Sequence, residues 1–185
     1  MYMMRWRSLL SLFPIVLLTA CASLPPELAS SDTAVITDYS TWTETKPSAD
    51  SEVRLGGVIA GISNQVNSTR LEIVNLPIDK AGRPDISQEP QGRFVAYVKG
   101  FLDPVTYAPG RLVTLVGKTA ASEQGKVGDY AYTFPTMKAS GYHLWKVEQR
   151  VIMDDVGPYF YPCRGFYCRH FEKDSNEGRV IQTVK

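Results

Sequence analysis

Side-chain chemistry rests on few residue types, and this chain of 185 residues holds only two histidines, His143 and His170, and three cysteines, Cys21, Cys163 and Cys168. His143 alternates with Trp145 and Val147 at one parity of a predicted strand, the setting of a hydrogen-bonded sheet histidine. A general base needs a positioned partner, and spacing supplies none. Asp154 and Asp155 are adjacent, so their side chains oppose each other in a strand, whereas glycoside cleavage needs two acids facing one bond. The sequence contains no Gly-x-Ser-x-Gly, His-Glu-x-x-His, phosphate-loop or Gly-x-Gly-x-x-Gly pattern. Arg93, Asp103 and His143 remain as candidate ligand contacts in a cleft. Asp103 precedes Pro104, however, and Asp-Pro at a strand end is ordinary turn chemistry: the carboxylate organises the turn and the proline presets the next φ. The chain reads as non-enzymatic and without a cofactor; an envelope hydrolase using Asp103 and His143 is the alternative.

Cys21 stands behind an export-type leader. Met1 to Arg7 carries Arg5 and Arg7 and no acid, and Ser8 to Thr19 is an apolar run. That run is shorter than the roughly 20 residues that span a bilayer and contains Pro14, so residues 1–20 read as a signal peptide. Leu18-Thr19-Ala20-Cys21 resembles the lipobox of bacterial lipoproteins. The resemblance implies cleavage before Cys21 and its acylation, with palmitate among the chains. Ala22, and not Asp, follows the cysteine; by resemblance to the sorting rule of enteric-type bacteria, this favours the outer membrane. Without Arg5 and Arg7 the chain has 18 basic and 19 acidic side chains, so attachment rests on the lipid, at about 0.8 kcal/mol per buried methylene. Near-neutrality with scattered charge also argues against nucleic acid as a partner.

With Cys21 lipidated, Cys163 and Cys168 are the two remaining thiols. An oxidising compartment favours a disulfide that closes a short loop around Gly165, contributing about 2 kcal/mol in the chain-entropy model. A metal site of Cys163, Cys168 and His170 is the rival, but it lacks a fourth ligand and the Cys-x-x-Cys spacing, so no metal is expected. Six aromatics fall between Gly157 and Phe171: Tyr159, Phe160, Tyr161, Phe166, Tyr167 and Phe171. They suit stacking on sugars, packing on a partner or lying at a lipid interface, or they fold back over the domain. Asn176 to Lys185 is polar and reads as a frayed end.

The elements between these residues look all-β. Runs at 53–62, 69–76, 92–99, 112–119, 130–134 and 142–147 are rich in β-branched and aromatic residues. Turn signals separate them, including Lys80 to Pro84, Pro109-Gly110 and Glu123-Gln124-Gly125. Five to six strands at this spacing suggest a small, closed, OB-like barrel over residues 52–148, with Gly56-Gly57 and Gly61 suiting bulges and sharp coiling. Leu112 to Val116 is apolar at both parities, so both faces of that strand need cover, from the tether or the tail. Residues 21–51, rich in Ser, Thr, Pro and Asp, read as a lipidated tether, in which Val35, Ile36, Tyr39 and Trp42 suit either a short docked helix or an extended linker. Residues 149–185 form the aromatic, Cys-containing tail.

Leu71 to Asp79, Arg83-Pro84-Asp85-Ile86, Gln91-Gly92-Arg93-Phe94 and Gly100-Phe101-Leu102-Asp103-Pro104-Val105-Thr106-Tyr107 resemble the Slp-type starvation-inducible outer-membrane lipoproteins. Val113 to Gly117 and His143-Leu144-Trp145 fit the same pattern. The resemblance implies a lipid-anchored, periplasm-facing envelope domain associated with starvation or envelope stress; a protein or glycan partner is expected by analogy with other OB-like barrels. It carries over no catalytic residues.

Overall fold

The computed structural model describes residues 23–30, 34–45, 48, 50–153 and 178–185. Seven strands follow a short 3-10 turn at Pro26–Leu28 and a helix α1 at Tyr39–Thr45. They are β1 Glu52–Asn64, β2 Ser68–Leu76, β3 Gly92–Lys99, β4 Leu112–Val127, β5 Tyr130–Trp145, β6 Val147–Met153 and β7 Gly178–Val184. The first five are hydrogen-bonded in a closed ring, in the order β1-β2-β3-β5-β4 and back to β1. All neighbours are antiparallel except β3 and β5, which run parallel over Val95–Val98 and Thr136–Ala139. The all-β expectation therefore holds, with five strands in the ring.

The predicted run at 130–134 and most of that at 142–147 are the two ends of one strand, β5, with Val147 opening β6, and Glu123-Gln124-Gly125 lies inside β4. The chain reverses three residues later, at Gly128, where φ is +60°. Thr119 to Lys126 lacks an apolar face, so it resembles a turn; its ladder is made by pairing with Tyr130 to Thr136 across the hairpin. Pro135 is tolerated inside β5 because it lies opposite a bulge at Ala121-Ser122, where no ladder N–H is needed. The hydroxyl of Thr136 donates to the Ala121 carbonyl at 2.7 Å and satisfies the bulged backbone. The expected irregularity in β1 is also present, as a register shift between Ile59 and Gly61.

Alternation sorts the apolar side chains into two cores. Inside the ring lie Val53, Leu55, Ile59, Leu71, Ile73, Phe94, Val113, Leu115 and Met137. Helix α1 plugs one end: Trp42 meets Phe94 edge to face at 6.0 Å, and its indole N–H donates to Thr119 at 2.9 Å. Leu102 and Tyr107, from the β3–β4 connection, also pack into this core. On the outer face, Leu76, Leu112, Val116 and Trp145 are covered by Leu28 of the 3-10 turn and Val184 of β7. The two-sided Leu112–Val116 strand is thus covered from both ends of the chain, as its pattern requires.

The stretch read as a tether is pinned at several points. Ile36 forms a parallel bridge with Val53, α1 is docked through Tyr39 and Trp42, and Leu28 is fully buried. The 3-10 turn approaches β5 so closely that a Cβ at Gly141 would lie 1.9 Å from the Glu27 carbonyl oxygen. The end expected to fray is also ordered: 178–184 pairs with β6 in register from Val147↔Val184 to Met153↔Gly178. Its alternating Val180, Gln182 and Val184 were masked by polar neighbours. Replacing Trp42, 3% exposed, by alanine is expected to cost about 3–5 kcal/mol, read as a lowered urea midpoint. A change within about 0.5 kcal/mol, the size of a surface substitution, would show that α1 does not plug the barrel.

Candidate functional site

Beyond the bulge at Ala121-Ser122, the β4–β5 hairpin leaves the ring and packs on the outer face of β2 and β3. Arg70 of β2 reaches across to Glu123 at 2.5 Å, with its guanidinium 5.7 Å from the centre of the Phe134 ring. Arg70 also lies 3.9 Å from Glu72, which pairs with Arg93 at 2.6 Å. The Tyr97 hydroxyl donates to the second oxygen of Glu123. Burial pushes the Glu123 carboxyl up, but the bonds from Tyr97 and Arg70 outweigh it and hold the group below the usual glutamate range. Hydrogen bonding to Glu123 raises Tyr97 in turn. Two arginines and two glutamates alternate, so the network is neutral and serves to fasten the hairpin.

Where β5 diverges from β3, the backbone of Arg93 is served by tyrosines. Its N–H donates to the Tyr132 hydroxyl at 3.2 Å, and its carbonyl accepts from Tyr39 at 2.9 Å. Burial, then the neighbouring Tyr132, pushes the Tyr39 phenol well above its ordinary value, so it stays a neutral donor. Between α1 and the hairpin this arrangement leaves a cleft of about 570 Å³, with Tyr39, Trp42, Gln91, Tyr132, Thr133 and Thr136 among its walls. A second cleft of about 620 Å³ shares Thr119, Ala120, Ala121 and Thr136 with it and adds Tyr97, Lys118 and Lys138. A third, about 520 Å³, shares Gln91 and Tyr132 and adds Arg93 and Tyr130. These adjoining clefts make a groove along the base of the hairpin, lined by hydroxyl and aromatic groups and the amide of Gln91, with Asp50, Lys118 and Lys138 in the second cleft.

The three candidate ligand contacts do not form one site. Arg93 sits beside this groove, but its guanidinium is paired with Glu72. Asp103 is exposed and accepts from the Val105 N–H at 3.1 Å and the Thr106 hydroxyl at 3.0 Å, which hold its carboxyl below the usual range. That is the turn role anticipated for Asp-Pro. His143 meets Glu27 of the 3-10 turn at 2.5 Å, and its ring packs on Trp145 at 4.2 Å. This bond, ahead of the backbone, lowers the Glu27 carboxyl. Asp103 and His143 are therefore committed to separate structural partners, and the hydrolase alternative gains no support. Among the described residues no group of three or more His, Cys, Asp or Glu is placed to hold a metal. Cys21, Cys163 and Cys168 lie outside the described residues. Among those described, no helix is long and apolar enough to cross a membrane.

Sequence reasoning missed the groove residues Tyr39, Gln91, Tyr132 and Thr133. Their only visible signal was the alternation of Tyr130, Tyr132 and Phe134 before Pro135, which marks a strand but not the fold of the hairpin over β3.

A family model described as the outer membrane lipoprotein Slp family matches residues 18–175. The chain is 42% identical over 117 residues to the uncharacterized lipoprotein YeaY of Escherichia coli K12, covering 62% of this chain and 60% of that one. It is 34% identical over 94 residues to a protein of Haemophilus influenzae Rd, covering 50% and 51%. It thus spans less than two thirds of the length of both relatives. With the outer membrane protein Slp of Escherichia coli K12 it shares 31% identity over 137 residues, 73% of this chain and 72% of that one. No solved structure matches.

Because Glu123 is depressed by the fold, its contribution to stability is complete above the ordinary glutamate range and is lost as pH falls through its folded value. Glu123→Gln is expected to cost about 1 kcal/mol at neutral pH. In urea titrations across pH, the gap from wild type should close under acid conditions; a constant gap would show that the carboxylate charge does not fasten the hairpin.

Proposed function

Since the chain belongs to the Slp family of outer-membrane lipoproteins, we propose that it is a non-enzymatic, OB-like binding domain held at the outer membrane by acyl chains on Cys21. In this reading it faces the periplasm, serves under starvation or envelope stress, and takes an uncharged glycan in the groove at the base of the β4–β5 hairpin. The observation that carries it is the groove's make-up. The rings of Tyr130 and Tyr132 offer stacking surfaces, while the exposed Gln91 and Thr133 offer donors and acceptors matched to sugar hydroxyls. A concave cleft of several hundred Å³ suits two or three sugar rings better than a flat protein surface. OB-like barrels bind oligosaccharides, a fold analogy in keeping with this reading. The units of the chain are a leader at 1–20, an anchor segment at 21–51, the barrel at 52–148 and a C-terminal region at 149–185, with Cys163 and Cys168 bridged.

Calorimetric titration with a neutral tetramer of N-acetylglucosamine tests the groove. Saturable binding is expected, weakened about tenfold, or ~1.4 kcal/mol, by Gln91→Ala, which removes an exposed amide. Absence of heat, or equal affinity in the variant, would remove the glycan reading. The address is tested by the intact mass of detergent-extracted protein before and after reduction and alkylation. A mass that starts at Cys21 with acyl chains, and two thiols that alkylate only after reduction, is expected. Cys21→Ser should abolish the acyl mass and leave the protein out of the outer-membrane fraction; its retention there would refute the anchor.

A further inference from the structure

Among the described residues, no second layer covers the outer half of the β6–β7 ribbon. Pairing places Val151 opposite Val180 on one face, and Arg150–Ile181 and Ile152–Arg179 on the other. Val151 is 59% exposed, Val180 56%, Ile152 45% and Ile181 41%. These are β-branched side chains left in water on a two-stranded element, and such a patch marks an interaction surface. The ribbon is also basic. Lys146, Arg150, Arg179 and Lys185 stand against Glu148 alone, on a chain that is otherwise close to neutral.

The position of the ribbon identifies what covers it. At its base, Val184 is buried with Leu28 and Trp145, and Leu24 packs against the same cluster. Leu24 is three residues from Cys21, a reach of at most about 11 Å of extended chain. An acyl anchor on Cys21 therefore brings the bilayer surface to within about that distance of the base of a ribbon roughly 23 Å long. Apolar side chains beside arginines and lysines are the composition that settles into the headgroup boundary of an anionic bilayer, the apolar groups entering the interface and the cations meeting phosphates.

We propose that the β6–β7 ribbon is a second membrane contact, lying on the anionic bilayer surface beside the acylated Cys21 through the face that carries Ile152, Ile181, Arg150 and Arg179. This rests on the acylation of Cys21 in the preceding reading. The acyl chains supply attachment, and the ribbon supplies orientation, since one tether point leaves the barrel free to swivel and a second does not.

The test uses the mature acylated protein carrying Ile181→Trp, a substitution at an exposed position of that face, in vesicles of phosphatidylcholine with about one-third phosphatidylglycerol. Lipids brominated near the headgroup serve as quenchers, and wild type supplies the background from the buried Trp42 and Trp145. The emission gained by Ile181→Trp is expected to lose about half its intensity, and to lose much less when Ile152→Glu and Arg150→Glu are added. Flotation with the vesicles without quenching overturns the proposal and leaves the anchor standing. A dimer by sedimentation in that case assigns the ribbon to a second copy, and a monomer assigns it to another protein. Failure to float, or absence of acyl mass, overturns the anchor and the ribbon contact together.

Discussion

The strand Leu112–Val116 is apolar on both faces, and most of the architecture answers that constraint. Val113 and Leu115 point into the ring, where closure alone buries them. Leu112 and Val116 point outward, where a five-stranded barrel by itself would leave them wet. Each fully buried aliphatic side chain is worth about 1.5–3 kcal/mol relative to exposure, so outer cover is a substantial share of the stability of a domain this small. The 3-10 turn at Pro26–Leu28, the indole of Trp145 and Val184 provide it. Thr114, buried between them, donates its hydroxyl proton to the Gly82 carbonyl at 2.6 Å and accepts from the Trp145 indole at 2.9 Å. The polar residue in the middle of this outer patch is thereby satisfied, which removes the penalty of burying it.

One consequence is that the two ends of the folded chain meet. Leu24 and Leu28 arrive from the anchor side, Val184 from the C-terminal side, and both settle on β4 and β5. The covering of an apolar strand thus also brings the segment from Leu24 to Leu28 together with β7. With the proposed acylation of Cys21, the three residues to Leu24, which packs on the outer core, would hold the barrel close to the membrane and not at the end of a long leash.

The second organising device is the pair of shifts in the β4–β5 ladder, one between Val116 and Gly117 and one between Ala120 and Glu123. A long hairpin that stayed in plane would project into solvent with two exposed faces. The shifts bend it so that Phe134 is buried and Arg70, Glu72, Arg93 and Glu123 fasten it to β2 and β3. The groove is what remains between the bent hairpin and α1. Its walls come from α1, the strand ends and the hairpin, so no short stretch of sequence contains it.

What the sequence by itself determined is local. Composition and alternation give an all-β chain; apolar residues at both parities of 112–116 announce cover on both faces; Asp103-Pro104 announces a turn. Each depends on a few neighbouring residues whose period or φ preference is intrinsic. The Slp-type blocks likewise read along single strands and turns, which is why the family was legible. Tertiary structure decided the rest. Thr119–Lys126 became strand because Tyr130–Thr136 pairs with it, not because its own residues prefer to extend. The polar end at 178–184 became β7 because β6 offered an edge and the outer core offered a seat for Val184. Tyr39, Gln91 and Tyr132 came to share one groove only through the bend at the bulge. Local preference is set within a few residues, whereas pairing, cover and concavity are set by which distant segment arrives, and one strand read alone carries no record of its partner.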